Sequence, residues 1–227
     1  MIDFDLIKES LLKKDFSKIS GTIYFDEVGF ESLSAVFFIL SLCFRYPDDA
    51  IYAKLQELLP SFDIFFEDYL NKNLSLENKV DMESEYVRLF VSNYGGVLAV
   101  PYASYYLEEE KLLMGESTVK LREMMEDDGF SIKDEIKDVP DHVYILLEFT
   151  SSLLNKILDL KRSGEDYKKT LNTLFTVLYL YLNNFVYEFT DKIISESNLD
   201  FYRDAAKALR GIFEDLDEIF IDLIDVK

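Results

Sequence analysis

Tryptophan is absent from this 227-residue chain, and histidine and cysteine occur once each, at His142 and Cys43. A lone cysteine excludes a disulfide framework, a Cys-x-x-Cys redox pair and a thiolate cluster for zinc. A lone histidine excludes a multi-histidine metal centre and leaves any Ser/His/Asp triad one residue to be built around. No metal site and no cofactor follow from these residues, and the chain reads as a non-enzyme. Basic residues are also scarce: 24 Lys and Arg stand against 44 Asp and Glu, a formal net charge of −20. That balance is the reverse of what nucleic-acid phosphates require, and it disfavours anionic membrane surfaces. A field of this sign favours cationic partners, acting on encounter rate more than on final affinity. A basic peptide is the partner it would welcome.

Long apolar runs are missing too. Val36 to Phe44 is the greasiest, about half the length that spans a bilayer. Met1 to Lys14 intersperses acids with lysines and lacks the basic start and apolar stretch of a secretion signal. The expectation is a soluble, cytoplasmic protein without stable membrane insertion. Glycines number eight and prolines four, and the adjacent Gly95 and Gly96 have neither GxxxxGK[ST] nor GxGxxG spacing for a phosphate loop. Acidic pairs such as Glu83 with Glu85, or the run Glu108 to Glu110, could serve acid–base work, but in so acidic a chain such pairs arise throughout.

What is present is helical periodicity. From Val143, the positions Leu146, Leu147, Thr150, Leu153, Leu154, Ile157 and Leu160 lie on one helix face. The same pattern runs through Leu171, Leu174, Leu178, Leu182 and Phe185, and again from Tyr202 through Leu209 and Phe213 to Leu223. Leu33, Val36, Phe37, Leu40 and Phe44 are apolar on nearly every side, which predicts a central buried helix ended by Pro47. Asp48 is placed to cap a short helix through Leu59, with another from Phe62 to about Asn71. Val80, Val87, Phe90, Val91 and Tyr94 mark one more, stopped by Gly95 and Gly96. Ile19 to Phe25 reads as an extended piece with no second strand pattern to pair with. The fold class is therefore all-α: one domain over residues 1–227, a bundle of roughly eight to ten helices.

The rare residues are not scattered. Pro101 to His142 holds Pro-Tyr-Ala-Ser-Tyr-Tyr at 101–106, Leu-Met-Gly at 113–115, Gly-Phe at 129–130 and Pro-Asp-His at 140–142. Tyr102, Tyr105 and Tyr106 follow a proline in a segment that reads as non-helical, where rings can line a groove with hydroxyls at its edge.

The order of these landmarks resembles the TorD/DmsD/NarJ family of cytoplasmic chaperones that mature molybdenum-containing oxidoreductases. The residues that carry it are Glu85, Tyr86, Arg88, Leu89 and Phe90; Pro101, Tyr102, Ser104 and Tyr106; Met114 and Gly115; Gly129 and Phe130; and Pro140, Asp141, His142, Leu147, Glu148 and Phe149. The likeness spans roughly residues 33–217. Ala103, where relatives often carry an acid, Thr150 at a commonly apolar place and the missing tryptophan are its departures. The resemblance implies a TorD-like bundle that binds the N-terminal leader of a molybdoenzyme catalytic subunit, commonly a twin-arginine signal, and holds the apo-enzyme for cofactor insertion. It implies peptide binding by Leu89, Phe90, Tyr102 and Tyr106 as groove walls, with Ser104 in the same segment and with Pro101, Gly115 and Gly129 setting the loop path. Asp141 and His142 would stand at the groove mouth, Asp141 facing a leader arginine or capping the helix, with Glu85 and Glu148 as further acidic contacts. A nitrate-reductase-type assembly factor for a non-exported subunit and a general helical adaptor are the alternatives. The protein could be a monomer or a swapped dimer.

Overall fold

The computed structural model describes residues 4–15, 23–109, 111, 113–132 and 138–226. Twelve α-helical segments are found among them: α1 (Phe4–Leu12), α2 (Glu27–Cys43), α3 (Asp49–Leu58), α4 (Asp63–Leu70), α5 (Lys79–Tyr86), α6 (Ala103–Leu107), α7 (Glu116–Asp127), α8 (Val143–Ser163), α9 (Lys168–Thr176), α10 (Asn183–Glu196), α11 (Asp200–Glu214) and α12 (Leu216–Leu223). A 3-10 turn carries α3 into α4, and a π-helical stretch, Val177–Leu182, carries α9 into α10, so the twelve merge into ten helical rods. The all-α expectation holds.

The boundaries follow local chemistry. Asp48 Oδ1 accepts from the Ala50 and Ile51 N–H groups at 3.0 and 2.9 Å, satisfying donors that have no partner inside the helix. Asn78 caps α5 in the same way through Val80 N–H. Asn71 and Gly164 close α4 and α8 in the left-handed conformation, which asparagine and glycine adopt most readily. The pattern from Tyr202 to Leu223 is not one helix: it breaks at Asp215, and Leu216 and Phe220 turn inward on α12.

The core is built on α2 lying along α8. Phe30, Phe37, Leu40 and Cys43 on α2 and Leu146, Leu153, Leu154 and Ile157 on α8 are at most 1% exposed. Each such large apolar side chain contributes about 1.5–3 kcal/mol by leaving water. Small residues meet where the two helices cross: Ser34 Oγ donates to Ser151 O at 2.9 Å. α10 and α11 form a second pair, and α4 leans on α11 at Gly211, where a Cβ would lie 2.3 Å from the Tyr69 ring.

One expectation fails. The extended piece does find a partner: β1 (Ile23–Phe25) pairs antiparallel with β2 (Ile224–Val226), Phe25 opposite Ile224. Three residues are too few to display a period of two, so β2 leaves no readable strand signal. Of the predicted extended piece, residues 19–22 lie outside the described residues. Among the described residues no helix is long and apolar enough to cross a membrane.

Candidate functional site

The two motif segments meet each other. Tyr102 and His142 form an isolated antiparallel β-bridge. Val143 N–H donates to Pro101 O at 2.8 Å and Ala103 N–H to Asp141 O at 2.9 Å. Asp141 Oδ2 accepts from Ser104 N–H at 2.9 Å, so the carboxylate of one motif caps the short helix α6 that the other begins. Ser104 Oγ accepts from Met114 N–H at 3.2 Å, drawing the Met-Gly turn to the same point. Gly115 fits there because a Cβ would fall 2.5 Å from the Glu108 carboxylate. That carboxylate in turn accepts from Ser117 N–H and Oγ at 2.8 and 2.6 Å, starting α7. Gly129, at a φ of 79°, ends α7, and Phe130 turns in against Phe149.

Several expected placements are corrected by this geometry. Asp141 and His142 do not stand at a groove mouth: they are 0% and 3% exposed, and Ser104 is 0% exposed. Buried backbone donors must be paired, and the two segments satisfy one another rather than flanking a space. The cap of α8 is His142, whose Nδ1 accepts from Tyr144 N–H at 3.3 Å; Asp141 caps α6 instead. Residues 103–107, expected to be non-helical, are α6 itself. Leu89 and Phe90 are core rather than surface walls, Phe90 packing against the rings of Tyr86, Phe189 and Tyr202. They lie on a π-helical stretch, Val87–Val91, whose outward residues are Val87 and Val91. Glu85, 6% exposed, is taken up by Arg88, which donates to it through Nε and Nη2 at 2.7 Å each.

The remaining candidates differ in exposure. Pro101 is buried beneath half-buried Tyr102, and Tyr106 stacks on Phe185 while its hydroxyl donates to Val100 O at 2.9 Å. Glu148 is accessible, its carboxylate 3.7 Å from Arg45 Nη1. Two surface features flank the clasp. A groove of about 600 Å³ runs beside α6 and α7, with Leu107, Met124, Leu180 and Tyr181 in its lining and Glu108 and Glu123 among its acids. At the start of α8, Tyr144 OH donates to Asp138 Oδ2 at 2.8 Å, and the Arg45 guanidinium sits 5.0 Å from the Tyr144 ring centre. Sequence reasoning missed Arg45, Asp138 and Tyr144. Arg45 had a signal, as the sole basic residue between Lys18 and Lys54.

His142 lies between the Tyr102 and Tyr144 rings, at 5.0 and 4.5 Å. Burial drives its pKa down to about 4; Asp138 opposes that shift and Arg45 adds to it. The imidazole is therefore neutral at physiological pH. Among the described residues no group of three or more His, Cys, Asp or Glu is placed to hold a metal ion.

The clasp makes a prediction about Asp141. Asp141→Ala leaves Ser104 N–H buried without an acceptor and should cost about 1–3 kcal/mol of stability, whereas Asp141→Asn retains an acceptor and should lose much less. Urea unfolding of both variants checks this; equal losses would mean that the charge, not the hydrogen bond, matters.

Comparison with known proteins places this geometry in a family. The nitrate reductase delta subunit family profile matches residues 47–191, well over half the chain. The chain is 25% identical to a chaperone protein TorD of Vibrio vulnificus strain YJ016, over 69% of this chain and 72% of that protein. A TorD of Vibrio parahaemolyticus is 26% identical over 58% of this chain and 60% of its own length. The crystal structure of a candidate redox enzyme maturation protein from Archaeoglobus fulgidus superposes with a TM-score of 0.56, at 22% identity, covering 80% of this chain and 93% of the other, a likeness of fold. With its motif segments joined in one buried clasp between α6 and α8, this chain belongs to the nitrate reductase delta subunit family, the TorD/NarJ group.

Proposed function

We propose that this protein is a non-catalytic chaperone in the maturation of a molybdenum-containing oxidoreductase. It binds the N-terminal leader of the catalytic subunit and holds the apo-enzyme until its cofactor is inserted. The observation that carries the reading is the similarity to TorD chaperones across 69% of the chain. The surface supports it in chemical terms. A leader has a cationic end and an apolar stretch; the chain carries a net charge of −20 and a groove in which Leu107, Met124, Leu180 and Tyr181 lie among acidic side chains. Apolar grooves of this kind hold amphipathic peptides elsewhere. The buried clasp fixes the start of α6, whose other end, at Leu107, lines that groove, so Asp141, Ser104 and Gly115 act as positioning residues in this reading. The family profile bears the name of a nitrate reductase subunit, which favours a second reading, an assembly factor for a client retained in the cytoplasm.

Titration calorimetry with leader peptides encoded beside the gene is the test. Saturable binding with a Kd near micromolar, about 8 kcal/mol, that is lost when paired arginines are replaced is the expected result. Binding only to a leader without that pair would favour the second reading. No binding to any leader or apo-subunit would remove both and leave a helical adaptor.

A further inference from the structure

Arg45 lies two residues beyond the end of α2, just before Tyr46 and Pro47, and it is poorly held for a guanidinium. Its Nη1 is 3.7 Å from Glu148 Oε2, too long for a hydrogen bond, and its other contact among the described residues is the face of the Tyr144 ring at 5.0 Å. An arginine offers five donors in a planar fork suited to a carboxylate. Close by stands a carboxylate that Arg45 does not engage. Asp138 is half-buried and accepts from Tyr144 OH at 2.8 Å; among the described residues it has no ion-pair partner. Asp138 and Arg45 meet on one side chain, Asp138 at the hydroxyl of Tyr144 and Arg45 over its ring, and both act electrostatically on Tyr86 and His142 as well. Tyr144 is 3% exposed, with Arg45 contributing to its cover. Two carboxylates and a ring thus face a single, loosely held cation.

We infer that Asp138, Tyr144 and Glu148 form a binding site for one arginine side chain of a partner peptide, and that Arg45 fills this site in the free protein as a surrogate that the incoming guanidinium displaces. The inference rests on the leader-binding reading and adds the residues and the competition. Arg45, tethered just beyond the end of α2, reaches Glu148 at 3.7 Å and Tyr144. An arginine on a free peptide can approach from solvent and pair with Asp138 as well. A lysine gains less, because an ammonium has neither the planar fork nor the same stacking on a ring.

The test compares wild type, Arg45→Gln, Asp138→Asn and Glu148→Gln by calorimetry with two synthetic peptides. One has two adjacent arginines before an apolar stretch; the other has lysines in their place. Removing the surrogate should tighten binding of the arginine peptide by about three- to tenfold, with a smaller gain for the lysine peptide. Asp138→Asn and Glu148→Gln should weaken the arginine peptide selectively. Wild-type binding with an unchanged or weaker affinity in Arg45→Gln would overturn the inference while leaving the leader reading intact. Binding by neither protein would sink both, and binding by Arg45→Gln alone would support the inference. Should Arg45→Gln melt well below wild type, Arg45→Lys replaces it: this variant keeps the charge but loses the fork, and should show a partial gain, the absence of which counts against the proposal.

Discussion

Replacing Glu85 with alanine should destabilise the protein by about 3 kcal/mol, the low end of the loss expected when one partner of a buried ion pair is removed, because Arg88 keeps some contact with water. The carboxylate is 6% exposed and saturated with donors: two from Arg88 at 2.7 Å each, Asn198 N–H at 2.5 Å and Ser197 Oγ at 3.2 Å. Arg88 also donates to Glu196 O. One side chain on α5 thereby staples that helix to the turn between α10 and α11. Burial alone would raise the pKa of Glu85, but the Arg88 guanidinium and the Asn198 N–H more than offset it and hold the carboxyl below its ordinary value. It is ionised at neutral pH, so alanine strands a half-buried guanidinium and a backbone N–H together. Glutamine preserves shape and some hydrogen bonds without the charge, and should fall between alanine and wild type. Urea unfolding at pH 7 measures this, and an alanine variant as stable as wild type would rule the staple out. The same variants address the peptide-contact role that the resemblance implies: a glutamine variant that stays folded but loses leader affinity would assign Glu85 a contact beyond its staple.

Glu85 illustrates which parts of the site could be read from the residues. Helix α8 was legible because its apolar positions recur at helical spacing, and α2 because it is apolar all round. Both signals depend on burial and period, which sequence carries directly. The motif residues were legible as a set, but their facing was not. Leu89 and Phe90 stand beside Val87 and Val91 on a π-helical stretch, where an added residue per turn rotates the buried face, so the larger side chains turn inward and the valines outward. Nor could Asp141 be separated from His142. Both types suit the start of a helix, and only the pairing of residues 101–104 with 141–143 decides which of them caps α8 and which reaches across to α6. Asp138 and Arg45 are 93 positions apart in sequence and are related only through the packing of α2 on α8. A contact of that separation leaves no periodic trace.

Lowering the pH from 7 to 5 should cost the protein about 2 kcal/mol of stability through His142 alone, provided that its pKa falls from 6.5 in the unfolded chain to about 4 in the native state. Over that interval the unfolded chain binds a proton that the native protein refuses. The contribution is therefore complete above pH 6.5, is lost as the pH falls towards 4, and levels off below 4 when the native imidazole takes the proton as well. The cause is geometric: the ring is 3% exposed, is packed between two tyrosines, and spends Nδ1 on Tyr144 N–H. Asp138 favours the charged form but does not overcome the loss of water, and Arg45 opposes it. No other side chain has its ordinary pKa inside this interval, because the chain has one histidine. Glu85 and Asp128, both held below the ordinary carboxylate range, lose their contributions at lower pH, below about 4. The two windows are thus separable. His142→Asn keeps an acceptor for the Tyr144 N–H and loses the ring, so its stability should be lower at pH 7 yet nearly flat between pH 7 and 5. Urea unfolding at half-unit pH steps compares the slopes, which a simple loss of packing would not alter. An equal slope in the two proteins would show that the buried histidine is not the acid-sensitive group.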